Sequence, residues 1–167
     1  NFKQWIDENR HLLKPPVNNK VVFENTEFIV MVVGGPNSRK DYHYNESEEF
    51  FYQIEGDVTV GLQIDGKAVA APIKEGEIFL LPPRIPHNPG RPANTVGLVI
   101  ERKRRSDEKD GLLWFCEKCN HKLFDEYFTL SDITTQFQAV FERFYNSETH
   151  RTCTKCGHKM TPPPVIS

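Results

Sequence analysis

The sequence lacks a long apolar run. Its longest, FIVMVV at 28–33, is far short of the ~20 residues that a membrane-spanning helix requires. It also lacks an excess of either charge: 21 Lys and Arg against 23 Asp and Glu leave a net charge of −2, so neither nucleic acid nor an anionic membrane is an expected partner. No charged-then-apolar leader stands at its start, and none of its four cysteines is isolated. They sit in two close pairs, a pattern that suits free thiols or a metal in a reducing compartment. From these absences we expect a soluble, cytoplasmic protein. Hydrophobic residues are not scarce. At 38% of 167 residues, with 12 Phe, they are enough to build a core and exclude a disordered chain.

The first 13 residues, NFKQWIDENRHLL, read as a short helix stopped by Lys14-Pro15-Pro16, with Asn1 and Gln4 spaced as a capping box. Between residues 20 and 101 the pattern changes. Short runs rich in β-branched and aromatic residues occupy 21–23, 28–33, 50–54, 58–64, 68–73, 78–82 and 96–101. Glycines and prolines punctuate them, and Asp65-Gly66 between two runs is a strong hairpin signal. Many short strands at close spacing make an all-β sandwich or barrel. ERKRRSDEKDG (101–111) is dense in charge without apolar periodicity. No basic face surrounds Arg102 to Arg105, so the stretch reads as a solvated linker rather than a phosphate-binding patch. Beyond it, SDITTQFQAVFERFYN (131–146) places apolar residues at 133, 137, 140, 141 and 144, a helical spacing, with Ser131 or Asp132 as N-cap. The tail TPPPVIS reads as extended.

Two spacings carry the chemistry. The first runs Gly35, five residues, Asp41-Tyr42-His43, five residues, Glu49, six residues, Gly56. The second runs Gly76, five residues, Pro82-Pro83-Arg84, two residues, His87, three residues, Arg91. Together they resemble the paired motifs of the cupin superfamily, which implies a jelly-roll β-barrel (a double-stranded β-helix) with a metal inside. The usual first motif has His-x-His before its Glu; here Asp41 replaces the first histidine, able to bind metal itself but spaced for a supporting role, such as orienting a histidine. Arg84 and Arg91 replace a usual Gly and Asn. The set that remains, His43, Glu49 and His87, is two imidazoles and one carboxylate, the facial arrangement of non-haem Fe(II) oxygenases. Strand alternation puts Glu49, Phe51 and Gln53 on one face and Glu48, Phe50 and Tyr52 on the other. Alternation does not say which face is inner; the spacing to Gly56 favours Glu49. Arg39 and Arg91 flank the two motifs, and a pair of guanidinium groups suits a carboxylate. Glu101 ends the run VGLVI, as an exposed strand end or an inward base. His11 and His150 have no such context and read as structural.

With LLKPPVNN (12–19), VVGGPN (32–37), DYH (41–43), EEFFYQ (48–53), LLPP…PH (80–87), VIER (99–102) and two CxxC pairs, the resemblance narrows to the 3-hydroxyanthranilate 3,4-dioxygenase family, in its form with an appended rubredoxin-like site. It covers nearly the whole chain. It implies Fe(II) on His43, Glu49 and His87. It also implies substrate contacts at Arg39, Arg91, Glu101 and Asn19, an aromatic substrate opened with O2, and a homodimer. The expected division is a cupin catalytic domain over 1–105 and an extension over 106–167 that carries one helix.

Cys116-x2-Cys119 and Cys153-x2-Cys156 lie 33 residues apart, a strong signal for a tetrahedral thiolate site holding zinc or a second iron. Asn120 and Gly157 follow the pairs and tolerate the left-handed turn such loops need. Four sulfurs leave no open position, so the site reads as a structural staple, without His121 or His158. Two other readings compete. A thiol dioxygenase of the same superfamily would lean on three histidines, which Asp41 interrupts. A cupin sensor with a zinc ribbon would want a basic ribbon surface, and 112–167 balances its charges.

Overall fold

The computed structural model describes residues 1–15, 18–88, 90–131 and 133–163. The expected N-cap Asp132 and the end of the tail, 164–167, lie outside them. Helix α1 (Phe2–Asn9) opens the chain and passes into a single 3-10 turn, Arg10–Leu12. Asn1 caps it by accepting the Gln4 N–H, but the reciprocal half of the capping box is absent: the Gln4 side chain donates to Glu8 instead.

The strands follow in chain order as β1 (Asn19–Val21), β2 (Phe28–Gly34), β3 (Tyr42–Tyr44), β4 (Glu49–Glu55), β5 (Val58–Ile64), β6 (Lys67–Ile73), β7 (Ile78–Leu81), β8 (His87–Asn88), β9 (Val96–Arg102), β10 (Asp110–Phe115) and β11 (Lys122–Phe128). Helices α2 (Ile133–Tyr145) and α3 (Glu148–Arg151) complete it. β5 and β6 form the expected hairpin, with Asp65 and Gly66 both at positive φ, 49° and 75°, as a tight two-residue turn of matching twist requires.

Two antiparallel sheets face each other, ordered β1-β2-β9-β4-β7 and β11-β10-β3-β8-β5-β6. The alternation β2-β9-β4-β7 against β3-β8-β5-β6 is a jelly roll, the fold the motif spacings implied. Phe51, Leu81 and Val99 from one sheet meet Val58, Val60, Leu62 and Ile73 from the other in a buried core. α1 and the turn after it cover one end of the outer face of the first sheet, packing Ile6 and Leu13 on Val32 and Val96.

The charged stretch 101–111 is not a free linker. It ends β9, turns back and begins β10, which pairs with β3 inside the six-stranded sheet with Leu112 opposite His43. Arg104 is held there between carboxylates, and Arg102 forks onto Glu108. The expected boundary at 105/106 falls in this turn, and the sheet runs across it. α2 then packs on β10, stacking Phe144 on Trp114 with centroids 4.3 Å apart. Each fully buried aromatic of this kind contributes roughly 1.5–3 kcal/mol.

Candidate active site

β3 and β8 are three and two residues long, too short to show periodicity, and they pair at one position: His43 opposite His87. That single register sets the two imidazoles side by side, with ring centroids 5.3 Å apart. Glu49 comes from the opposite sheet, as the first residue of β4, with Leu81 and Glu101 on either side. It is buried, as are Phe51 and Gln53, whereas Glu48 is exposed, so the 49-51-53 face is the inner one. One donor atom from each of His43, Glu49 and His87 lies within 4.8 Å of the others. Two imidazoles and a carboxylate, all buried and converging from both sheets, fit a divalent first-row metal. The cluster is a candidate metal site.

The surrounding charges set its protonation. Burial pushes the Glu49 carboxyl up, but His87, His43 and Arg104 outweigh that and hold it well below the ordinary carboxylate range. Burial pushes His87 down, and the Glu49 charge and hydrogen bond reverse this, so its imidazole titrates above the ordinary histidine value. Glu101 moves the other way: burial, reinforced by the neighbouring Glu49, raises it against the pull of Arg104 and His43.

The two expected carboxylate binders differ. Arg39 is already engaged, with Nε and Nη2 at 3.0 and 2.5 Å from the Asp41 carboxylate and its guanidinium over the rings of Phe137 and Phe141. Asp41 thus serves Arg39 and does not orient a histidine. Arg91 makes one side-chain hydrogen bond, to Gln53 Oε1 at 3.0 Å, and among the described residues no carboxylate pairs with it. Burial pushes its guanidinium down to about 10. It lies flat on Gly97, where an added Cβ would come within 2.7 Å of Nη1. Asn19, Val33, Gly97 and Gln53 form one row across β1, β2, β9 and β4. Asn19 therefore shares the sheet face of Gln53, although it is exposed at the edge strand. Glu101 faces inward, 7% exposed, within 2.7 Å of Arg104 Nη1.

Three residues of this site were not found by sequence reasoning. Asp110, fully buried, lies 2.7 Å from His43 Nε2. Arg104 forks onto Asp110 and reaches Glu101. Asn45 donates its amide to Glu49 at 2.5 Å and Glu101 at 3.2 Å. The one signal available was a carboxylate opening the apolar run GLLWF, and Asp-Gly read there as the end of a charged break.

The cysteines form a second cluster, with Cys116–Cys156 and Cys119–Cys153 sulfurs each 3.6 Å apart and all four free. Their loops are near copies. The Asn120 N–H donates to Cys116 and that of Gly157 to Cys153, each at 2.9 Å, with both donors at positive φ. His121 and His158 stand outside the cluster. The Asn120 side chain exchanges hydrogen bonds with Gln63, docking this loop on β5.

A family model described as 3-hydroxyanthranilic acid dioxygenase matches residues 1–145. A protein of Xanthomonas euvesicatoria pv. vesicatoria named 3-hydroxyanthranilate 3,4-dioxygenase is 54% identical over 163 residues, 98% of this chain and 92% of the relative. One of the same name from Bacillus cereus is 48% identical over 161 residues, 96% and 90% of the two chains. Among solved structures, a cupin-2 domain containing protein from Shewanella frigidimarina aligns with a TM-score of 0.46 at 15% identity, over 59% of this chain and 92% of that one.

Proposed function

This chain belongs to the 3-hydroxyanthranilic acid dioxygenase family, and from that premise we propose that it opens the ring of 3-hydroxyanthranilate with O2. The product would be 2-amino-3-carboxymuconate semialdehyde, which cyclises to quinolinate on the way to NAD. His43, Glu49 and His87 would hold Fe(II). One observation carries this reading: among the described residues the three donors converge without a fourth, and Asp41, at the position of the missing histidine, is held by Arg39. Open positions are what an aminophenol and O2 need.

When bound, Fe(II) would supply a centre at which substrate and O2 meet and exchange electrons. The chain's own residues do the rest. Arg91, half-buried and paired with no carboxylate among the described residues, would bind the substrate carboxylate through charge-assisted hydrogen bonds. Arg39 would join it by sharing its guanidinium with Asp41. Glu101, raised by burial and facing inward, would accept the phenol proton. Asn19 would line the outer end of the same sheet face.

The cysteine cluster would hold zinc or a second iron as a staple for the extension. Val30, Ile100, Phe50 and Leu80 form one outward row across four strands, with Leu80 54% and Ile78 65% exposed. That uncovered apolar face supports a homodimer. Among the described residues no helix is long and apolar enough to cross a membrane, and we place the enzyme in the cytoplasm. Loading with Fe(II) without air, then adding 3-hydroxyanthranilate and O2, should produce the ultraviolet absorbance of the semialdehyde. No turnover with the triad fully loaded would sink the reading.

A further inference from the structure

We infer that Asp110 and Arg104, from the charged stretch between β9 and β10, are positioning residues that fix which nitrogen His43 turns toward the metal. The inference rests on the proposed metal role of His43.

Asp110 is completely buried, an expensive place for a carboxylate without partners. Its partners are specific. Arg104 Nε donates to Oδ1 at 2.8 Å and Nη2 to Oδ2 at 2.7 Å, a bidentate fork. That fork leaves Oδ2 room for one more donor, and His43 Nε2 occupies it at 2.7 Å. An ionised carboxylate only accepts, so in the neutral imidazole that a metal needs Nε2 carries the proton and Nδ1 is the bare nitrogen. The bare nitrogen lies on the cluster side, 3.6 Å from Glu49 Oε1. His87 is set the opposite way. Its Nδ1 donates to the Ile85 carbonyl at 3.2 Å, which leaves Nε2, 3.3 Å from Glu49 Oε2, as the nitrogen a metal would take once its proton leaves. The two imidazoles therefore offer different nitrogens, and only His43 owes its choice to a charged partner.

Arg104 also extends the effect. Its Nη1 reaches Glu101, and Asn45 links Glu101 to Glu49. The path His43–Asp110–Arg104–Glu101–Asn45–Glu49 begins at one donor of the triad and ends at another. A buried ion pair serving only to hold β10 in place would have no need to engage both. Carboxylates behind metal-bound histidines commonly govern metal affinity by 10–100-fold.

The test uses the full chain with zinc first placed in the cysteine site, where it is spectroscopically silent, and Co(II) as the probe of the triad. Asp110→Asn keeps the shape of the side chain and removes its charge. It should weaken Co(II) binding by about 10-fold or more and alter the visible Co(II) spectrum. With Fe(II) it should lower kcat while KM for 3-hydroxyanthranilate stays within about 2-fold, since Arg91 is untouched. Arg104→Lys, which keeps the charge and loses the fork, should show the same pattern at about 3- to 10-fold. It is the deciding variant if Asp110→Asn fails to fold, as judged by loss of zinc from the cysteine site. Folded variants with unchanged Co(II) affinity, spectrum and kcat would overturn the inference alone. A wild type that binds no Co(II) at the triad would sink the functional reading and this inference together.

Discussion

The two clusters of candidate metal ligands are built in opposite ways. The cysteine cluster comes from two loops of five residues, each closed by its own backbone hydrogen bond and each carrying its cysteines three apart in sequence. The His43/Glu49/His87 cluster comes from three strands in two sheets, and its immediate partners, Asp110, Arg104 and Asn45, come from elsewhere again. The first is closed and local; the second is open and depends on the whole barrel. α2 joins them: it runs between the two cysteine pairs and lays Phe137 against His43, with ring centroids 5.5 Å apart.

The strongest way to break this comparison is to remove one ligand from each side. His87→Ala should lower O2 consumption by about 10³-fold, since a bound metal is worth several kcal/mol to the reaction. Metal analysis should find the cysteine site still filled. Cys116→Ser should reverse the pattern. Metal at the cysteine site is lost, and thermal unfolding begins several degrees lower because metal binding there contributes to folding. At 25 °C we expect roughly half or more of the turnover to remain, because the barrel core shares no residue with the extension core. Complete loss of turnover in a folded Cys116→Ser protein would show that the two clusters are not separable.

Within the barrel cluster, the arginines sharpen the contrast between committed and open groups. Arg91→Gln should raise KM by about 10- to 100-fold, the worth of a charge-assisted hydrogen bond. Arg39→Gln should cost less, because Arg39 already satisfies Asp41. Equal effects in steady-state kinetics would mean that Arg39 leaves Asp41 when substrate arrives.

The smallest effect is on pH dependence. In the metal-free protein His87 titrates above its unfolded value because of Glu49. The charged pair therefore stabilises the fold fully below about pH 6.5 and loses that contribution as pH rises through the folded value. Metal uptake runs the other way, since the proton must leave the imidazole. Co(II) affinity at the triad should rise between about pH 6 and about pH 8, measured by titration with the cysteine site already filled with zinc. A flat profile would mean that His87 is already neutral across this range.

Much of this was legible in the sequence. The hairpin at Asp65-Gly66, the strand β5 to its ends, the helix from the 137/140/141/144 spacing, both CxxC loops and the three donors of the barrel were all readable. They are local patterns, or spacings that a known family repeats. β3 and β8 were invisible because three or two residues carry no period. β10 was hidden behind a charged stretch whose arginine and aspartate looked solvated because their partners lie on other strands.

By itself the sequence determined the inventory: which side chains can bind metal, which runs form strands, and that the cysteines form a closed pair of loops. Only the tertiary structure decided who faces whom. It placed Glu49 across from two histidines, turned Asp41 to Arg39, and put Asp110 behind His43. Local geometry follows from covalent spacing and backbone preference. Partnership across a barrel follows from strand register and the need to satisfy every buried charge, and neither is written in neighbouring residues.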